Sequence, residues 1–266
     1  MTGFPGTVDS VNIIGPNEIE VTLTTTAATG TYDIVLSNTG GALNTQWSGN
    51  GEDQLEVFAP VPWTDLRSGG NTFSDGNGAG NDIRYRTGMA LARDANGMYF
   101  TGSNPWSSWV KFESMGWTRG EDRTVQWVFT SPTNAMMIGI SSDATNETAT
   151  DQYRQGENHA YFQNSTTLWG LYGNNGTPGG TGNQANTATI SASGVYKIKF
   201  ESDGGAGGTF TLYELPSAAP ADWDNEATVV TTFTIGGTLA PDEANLFPAI
   251  IPRDGDAQRF IAVKVE

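Results

Sequence analysis

Cysteine is absent from the 266 residues. That excludes disulfide staples, thiolate zinc centres and cysteine nucleophiles. Histidine occurs once, at His159. A Ser-His-Asp triad could use only that residue, and no G-x-S-x-G elbow accompanies it. Basic residues are few, 13 Lys and Arg against 29 Asp and Glu, and the formal net charge is −16. With no basic stripe to displace counterions, nucleic acid is excluded as a partner, and anionic membrane surfaces are disfavoured. No apolar run approaches the roughly 20 residues of a membrane span, so no membrane insertion is expected. Met1-Thr2-Gly3-Phe4-Pro5 has neither a charged n-region nor an apolar h-region. No signal peptide is therefore expected, and synthesis in a cytoplasm is. Helical periodicity is nearly absent, the exceptions being short stretches such as Pro220–Asp224.

What is present is aromatic and turn-rich: 8 Trp, 8 Tyr, 12 Phe, 34 Gly and 12 Pro. A disordered chain would lack the aromatics, and many turns between short apolar runs favour an all-β fold. The centre of the chain is Asp122–Ser141, DRTVQWVFTSPTNAMMIGIS. Val125, Trp127 and Phe129 share a face by period-2 alternation, as do Met136, Ile138 and Ile140. The second run has no strongly polar face, so it belongs mid-sheet with both sides covered. Ser131-Pro132-Thr133-Asn134 carries turn chemistry, and the two strands are expected to form a hairpin.

Residues 1–60 read as a first module. Candidate strands are Val8–Ile14, Glu18–Thr24, Thr31–Ser37 and Gln54–Phe58. In EIEVTLT and TYDIVLS, the residues Ile19, Val21, Leu23, Tyr32, Ile34 and Leu36 demand a buried partner face. Three or four strands cannot supply an opposing sheet, so the module is expected to be an assembly and docking module whose partner is either the jelly roll of the same chain or a neighbouring subunit. The valine-rich Val8–Ile14, NEIEVTLT at 17–24 and GTYDIVLSNTGG at 30–41 resemble the later part of an IPT/TIG-type immunoglobulin-like domain. The last of these is similar to that family's G-x-y-d-v-x-v-x-N-x-G-G ending. The family's first strands have no counterpart here. Residues 61–82 read as linker and long loop: Pro60-Val61-Pro62 is stiff, and Thr64–Asp82 is rich in Gly, Asn and Ser.

Residues 83–266 carry the large block. Its candidate strands are Ile83–Ala92, Gly97–Thr101, Ser108–Glu113, Arg123–Thr130, Ala135–Ser141, Ala160–Asn164, Leu168–Tyr172, Ala188–Ser191, Val195–Glu201, Gly208–Glu214, Thr228–Ile235, Asn245–Ile250 and Arg259–Val265. In Val195–Glu201 the alternation sends Tyr196, Ile198 and Phe200 inward and Lys197, Lys199 and Glu201 to water. So many strands joined by tight turns imply a two-sheet antiparallel jelly roll. Several runs, in this order, resemble a concanavalin A-like or SPRY-type sandwich. They are Trp127-Val128-Phe129, Met136–Ser141, Thr167–Tyr172, Val195–Phe200, Phe210–Tyr213 and Leu246–Ile251. An immunoglobulin-like start before a lectin-like sandwich, acidic and without cysteine, is similar to tail-fibre and appendage proteins of bacteriophages.

Two kinds of residue could carry chemistry. Asp222-Trp223-Asp224-Asn225-Glu226 spaces three carboxylates two apart, the spacing of a paired-carboxylate strand in concanavalin-like glycosidases. Its flanks, Ala218-Ala219-Pro220-Ala221, are loop, and an acidic turn anchored by Trp223 fits them better. A divalent cation could bind at Asp222, Asp224 and Glu226, or at Asp254 and Asp256. No other cofactor is implied. Aromatic residues beside amides could stack and hydrogen-bond a sugar, or fill a core or interface. Trp106, Trp109 and Trp117 cluster near Asn104, while Trp169 and Tyr172 lie beside Asn174-Asn175. The candidate glycan-binding set is Asn104, Trp106, Trp109, His159, Trp169 and Tyr172.

The expectation is a non-enzymatic structural component of a virion: a fibre, appendage or capsid decoration subunit. Its partners would be other virion subunits, including copies of itself in a homo-oligomer. The alternative is a lectin-like module for host surface glycans, and a glycan hydrolase is the third reading.

Overall fold

The structure, a computed structural model, describes residues 6–15, 18–25, 30–33, 35–37, 46–48, 54–57, 61–69, 73, 75–76, 82–85, 90–101, 110–118, 120–131, 136–142, 158–163, 167–172, 185–191, 193–202, 208–235, 245–252 and 258–266. It forms two compact units, Met1–Val61 and Pro62–Glu266.

The first unit is built from three two-stranded antiparallel ladders. Strand β1 (Gly6–Gly15) pairs with β2 (Glu18–Thr25), β3 (Gly30–Asp33) with β6 (Gln54–Val57), and β4 (Val35–Ser37) with β5 (Gln46–Ser48). Cross-strand partners in the first ladder are apolar with apolar: Val8 with Leu23, Val11 with Val21, and Ile13 with Ile19. A register shift between Val8 and Ser10 sets Val8 and Val11, three residues apart, opposite Leu23 and Val21, two apart. The expected single strand Thr31–Ser37 is two short ones around Ile34, and β5 lay below the threshold of periodicity.

The second unit is a two-sheet antiparallel jelly-roll sandwich. Sheet A is eight-stranded, in the order β10 (Ala90–Asp94), β11 (Gly97–Thr101), β23 (Phe260–Val265), β14 (Thr124–Thr130), β19 (Val195–Ser202), β20 (Gly208–Leu215) and β21 (Val229–Ile235). Strand β7 (Thr64–Asp65) also pairs with β23. Sheet B is nine-stranded, in the order β18 (Ala185–Thr189), β17 (Thr167–Tyr172), β16 (Asn158–Gln163), β15 (Met136–Ser142), β22 (Asn245–Pro252), β12 (Val110–Phe112), β9 (Ile83–Tyr85) and β8 (Asp75–Gly76). Strand β13 (Trp117–Thr118) pairs with β22. One ladder, β8 with β9, is parallel. Among the described residues the only helices are single 3-10 turns, Glu113–Met115 and Pro220–Asp222.

The core lies between the sheets. Val125, Trp127, Phe129, Ile198, Phe200, Phe210 and Leu212 from sheet A meet Met136, Ile138, Ile140, Val110, Phe112, Leu246 and Ile250 from sheet B. Fully burying each such side chain stabilises the fold by about 1.5–3 kcal/mol against exposure. Three expectations are corrected here. Asp122–Ser141 is not a hairpin, because β14 lies in sheet A between β23 and β19, while β15 lies in sheet B between β16 and β22. The chain therefore changes sheets between Thr130 and Met136, and the two apolar faces meet across the core. Segment 61–82 is not only linker and loop, since it supplies β7, β8 and the fully buried Leu66. Lys197 does not face water: it is fully buried.

Two local features hold this geometry. Gly97, at the turn between β10 and β11, has φ +140°, and a Cβ there would stand 2.5 Å from the Phe260 carbonyl oxygen. Only glycine fits. In β23 the register shifts between the partners of Val128 and Phe129. This bulge puts both Ile261 and Ala262 on the outer face while Phe260 and Val263 stay in the core.

Candidate functional site

The outer face of sheet A is covered by the chain that follows β20. Trp223, 3% exposed, packs with Val128, Leu215, Ile261 and Ala262. The turn Pro220–Asp222 starts on proline, which suits a first helical position. Ser217 Oγ donates to Asp222, and Trp223 Nε1 donates to the Ala218 carbonyl at 3.1 Å. Trp63 meets Trp223 edge-on, with ring centroids 5.8 Å apart.

The carboxylates of this stretch are turned to lysines. Asp224 accepts from Trp63 Nε1 at 2.8 Å and from Lys264 Nζ at 3.0 Å. Glu226 accepts from Lys197 Nζ at 3.0 Å, and that ammonium lies 4.8 Å from the Tyr213 ring centroid. Lys264 also reaches Glu266 at 2.7 Å. Burial pulls the Lys197 pKa down by more than Glu226 restores, so it lies below the ordinary lysine value. Burial also acts downward on Lys264, but hydrogen bonds to Glu266 and Asp224 outweigh it and the pKa is raised. Burial pushes Asp224 up, yet the Trp63 and Lys264 hydrogen bonds outweigh it and hold the carboxyl below the usual range. A glycosidase acid needs the opposite shift. Among the described residues no group of three or more His, Asp or Glu could hold a metal ion. Asp254 and Asp256 lie outside the described residues.

Of the candidate glycan-binding residues, Asn104, Trp106 and Trp109 lie outside the described residues. His159, Trp169 and Tyr172 lie on β16 and β17 of sheet B. Strand register decides which of them share a face. Met136 and Ile138, which belong to the core, stand opposite Phe162 and Ala160. Those stand opposite Leu168 and Gly170, and Asn158 stands opposite Tyr172. Tyr172 thus falls in the same set of alternate positions as Leu168 and Gly170. His159 stands opposite Leu171, and Tyr161 opposite Trp169, in the alternate set of positions. Asn186 of β18 stands next to Trp169 in the same row. The register therefore sets His159 and Trp169 in cross-strand pairs two apart, in the same alternation, and Tyr172 in the other. Tyr161 and Asn186 join the row without having been singled out, although the alternation in NHAYFQ carried the signal for Tyr161. Toward the middle of sheet B the outer face is closed: Met137, Lys111 and Ile251 are each 2% exposed.

A separate cavity of about 360 Å³ is lined by Arg67, Asn96, Thr130 and Arg259. Arg259 donates to Asp94 from Nε at 3.1 Å and Nη2 at 3.0 Å, and its guanidinium lies 3.8 Å from the Tyr99 ring centroid. Arg67 is paired with Asp65. Both cations are thus held in place by their own carboxylates.

No family model and no curated protein match the sequence. Solved structures do match in fold. The carbohydrate recognition domain of Emp47p overlaps with a TM-score of 0.50 at 10% identity, over 76% of this chain and 93% of that one. The CBM2 module of the evolved Dit of Lactobacillus casei BL23 phage J-1 overlaps at 0.40 with 7% identity, over 77% and 92%. The galectin LEC-6 of Caenorhabditis elegans overlaps at 0.33 with 10% identity, over 70% and 96%. Identities this low speak to fold alone.

Proposed function

We propose that this chain is a non-catalytic recognition subunit of a virion appendage, and that its sandwich binds surface glycans. The observation that carries the reading is the strand register of sheet B, in which His159, Tyr161, Trp169 and Asn186 fall in one set of alternate positions across β16, β17 and β18. Aromatic faces beside amide and imidazole groups suit a sugar, whose C–H face stacks while its hydroxyls exchange hydrogen bonds. The fold shared with the Emp47p carbohydrate recognition domain supports a binding role. The lysine pairs of Asp224 and Glu226 support a non-catalytic one. The virion setting is supported by the sequence: acidic, free of cysteine, with an immunoglobulin-like start before a lectin-like sandwich. In this reading residues 1–60 are the assembly and docking module. Their two-stranded ladders are marginal in water without a partner, as such small sheets are.

The test is a glycan array probed with the full chain and with a His159→Ala/Trp169→Ala variant. Binding by the wild type that is lost in the variant supports the reading, and no bound glycan at all would overturn it. Incubation with the bound glycan should release no product. Turnover abolished by Asp224→Asn or Glu226→Gln would restore the hydrolase reading. Residues 1–61 expressed alone should show weak amide protection. A folded, monomeric, strongly protected fragment would remove the docking role.

A further inference from the structure

An edge strand presents a row of backbone N–H and C=O groups to whatever can pair with them. Sheet A ends in β10 and β21, and sheet B in β18 and β8. Three of these edges are blunted by charge, brevity or small side chains. β10 carries Arg93 and Asp94, β8 is two residues long, and β18 is the five residues ANTAT. The fourth edge has no such guard. β21 is the seven residues VVTTFTI, without charge and without proline. No charged side chain occurs anywhere in residues 227–241. The one register shift lies at its start, between Val229 and Thr231, and residues 231–235 pair regularly with β20. Val229 is 54% exposed. β21 lies beside β17 and β18 of sheet B but pairs with neither, so β20 is its one strand partner among the described residues.

The two faces of β21 differ. Phe233 is buried in the core between the sheets. Thr232 and Thr234 are exposed on the other face. There they extend two rows that begin on β20. Thr234 Oγ1 lies 3.3 Å from Thr209 Oγ1, and Thr232 Oγ1 donates to Thr211 Oγ1 at 3.3 Å. The sequence Thr231–Ile235 is self-complementary in one register. An antiparallel two-fold at Phe233 sets Thr232 opposite Thr234 of a second copy, and Thr234 opposite its Thr232. Each threonine row then continues across the axis, and cross-strand threonine pairs stabilise a sheet.

Charge selects the occupant. Two copies at a formal −16 each repel at long range, so a contact between them needs a surface free of carboxylates. β21 is such a surface. A partner recognised through charge finds nothing to pair with on this strand. A second copy brings the same uncharged edge, the same unpaired backbone groups and threonines that hydrogen-bond to one another. We propose that β21 pairs antiparallel with β21 of a second copy across a two-fold axis at Phe233, joining the two A sheets edge to edge. The interface is isologous, so it closes at a dimer. The proposal goes beyond the glycan reading and does not depend on it.

The test is sedimentation velocity of the full chain over a concentration series. The wild type should associate to a dimer of the 28.3 kDa chain. Thr232→Lys/Thr234→Lys sets ammonium groups opposite one another across the axis and should weaken the dimer at least about tenfold. Mixing that variant with Thr232→Glu/Thr234→Glu should restore a mixed dimer, which a misfolded chain could not form. Amide exchange of the wild type supplies a second reading that needs no variant: protection of β21 should rise with chain concentration. A wild type that stays monomeric up to about 0.1 mM overturns the proposal. Association that the lysine variant leaves unchanged, or β21 protection that does not depend on concentration, overturns it too and moves assembly to another surface, such as residues 1–60. Each of these failures leaves the glycan array result standing, because the array reads the His159 and Trp169 row.

Discussion

Two clusters in the sandwich pair tryptophan with carboxylate and end in opposite states. In the clasp over sheet A, Trp63 Nε1 donates to Asp224 and Trp223 Nε1 to Ala218. The rings meet edge-on, and Lys264 and Lys197 neutralise the acids. At the end of the sandwich, Trp117 Nε1 has no acceptor and its wall borders open volume. Composition alone makes the two look alike. The difference is whether the chain itself satisfies the indole and fills the space. Where it does, the residues hold the fold together; where it does not, a buried donor is left without an acceptor.

The sharpest way to break the clasp is Trp223→Ala. It removes a nearly fully buried indole from the outer cluster and should cost about 3–5 kcal/mol in urea unfolding. A loss below about 1 kcal/mol would mean the covering segment contributes little. Glu226→Gln should cost less, about 1–2 kcal/mol, because Lys197 keeps its contact with Tyr213 but loses its charged partner while fully buried. Acid should act more gradually. Asp94 is lowered first by its Arg259 hydrogen bond. For Asp65, burial acts upward but hydrogen bonds from Arg67 outweigh it, and Asp224 behaves likewise with Trp63 and Lys264. Carboxyls with depressed folded values stabilise fully above their unfolded pKa near 4 and lose that contribution as pH falls through the folded values. Tm followed downward from neutral pH should therefore drop below about pH 4, and a flat profile would contradict these pairings. The smallest effect belongs to Glu121→Gln, whose ion pair is exposed on both sides. Its stability should change by less than about 0.5 kcal/mol.

Much of the fold was legible because alternation is local. The strands around Val125–Phe129, Tyr196–Phe200 and Phe210–Leu212 read directly from period-2 patterning, and their inward faces are core. Sheet membership was not legible. β14 and β15 are neighbours in sequence, yet β14 pairs with β23 at the far end of the chain. That partner choice depends on the whole topology. Lys197 read as solvent-facing because its strand alternates cleanly; only the segment carrying Trp223 and Glu226, folding back over the sheet, buries it. Trp223 as an anchor was visible in the sequence, whereas the partner of Asp224, Trp63, lies 161 residues away. The separation of Trp169 from Tyr172 was legible in principle, since residues three apart on a strand lie on opposite faces.

The most direct test of the contrast reads the indole N–H resonances of the full chain in a ¹H–¹⁵N spectrum, assigned by single Trp→Phe variants. The Trp63 and Trp223 indole protons should lie downfield of the Trp117 proton, because theirs are hydrogen-bonded within the fold and that of Trp117 has no acceptor. A Trp117 proton as far downfield as those two would contradict the account.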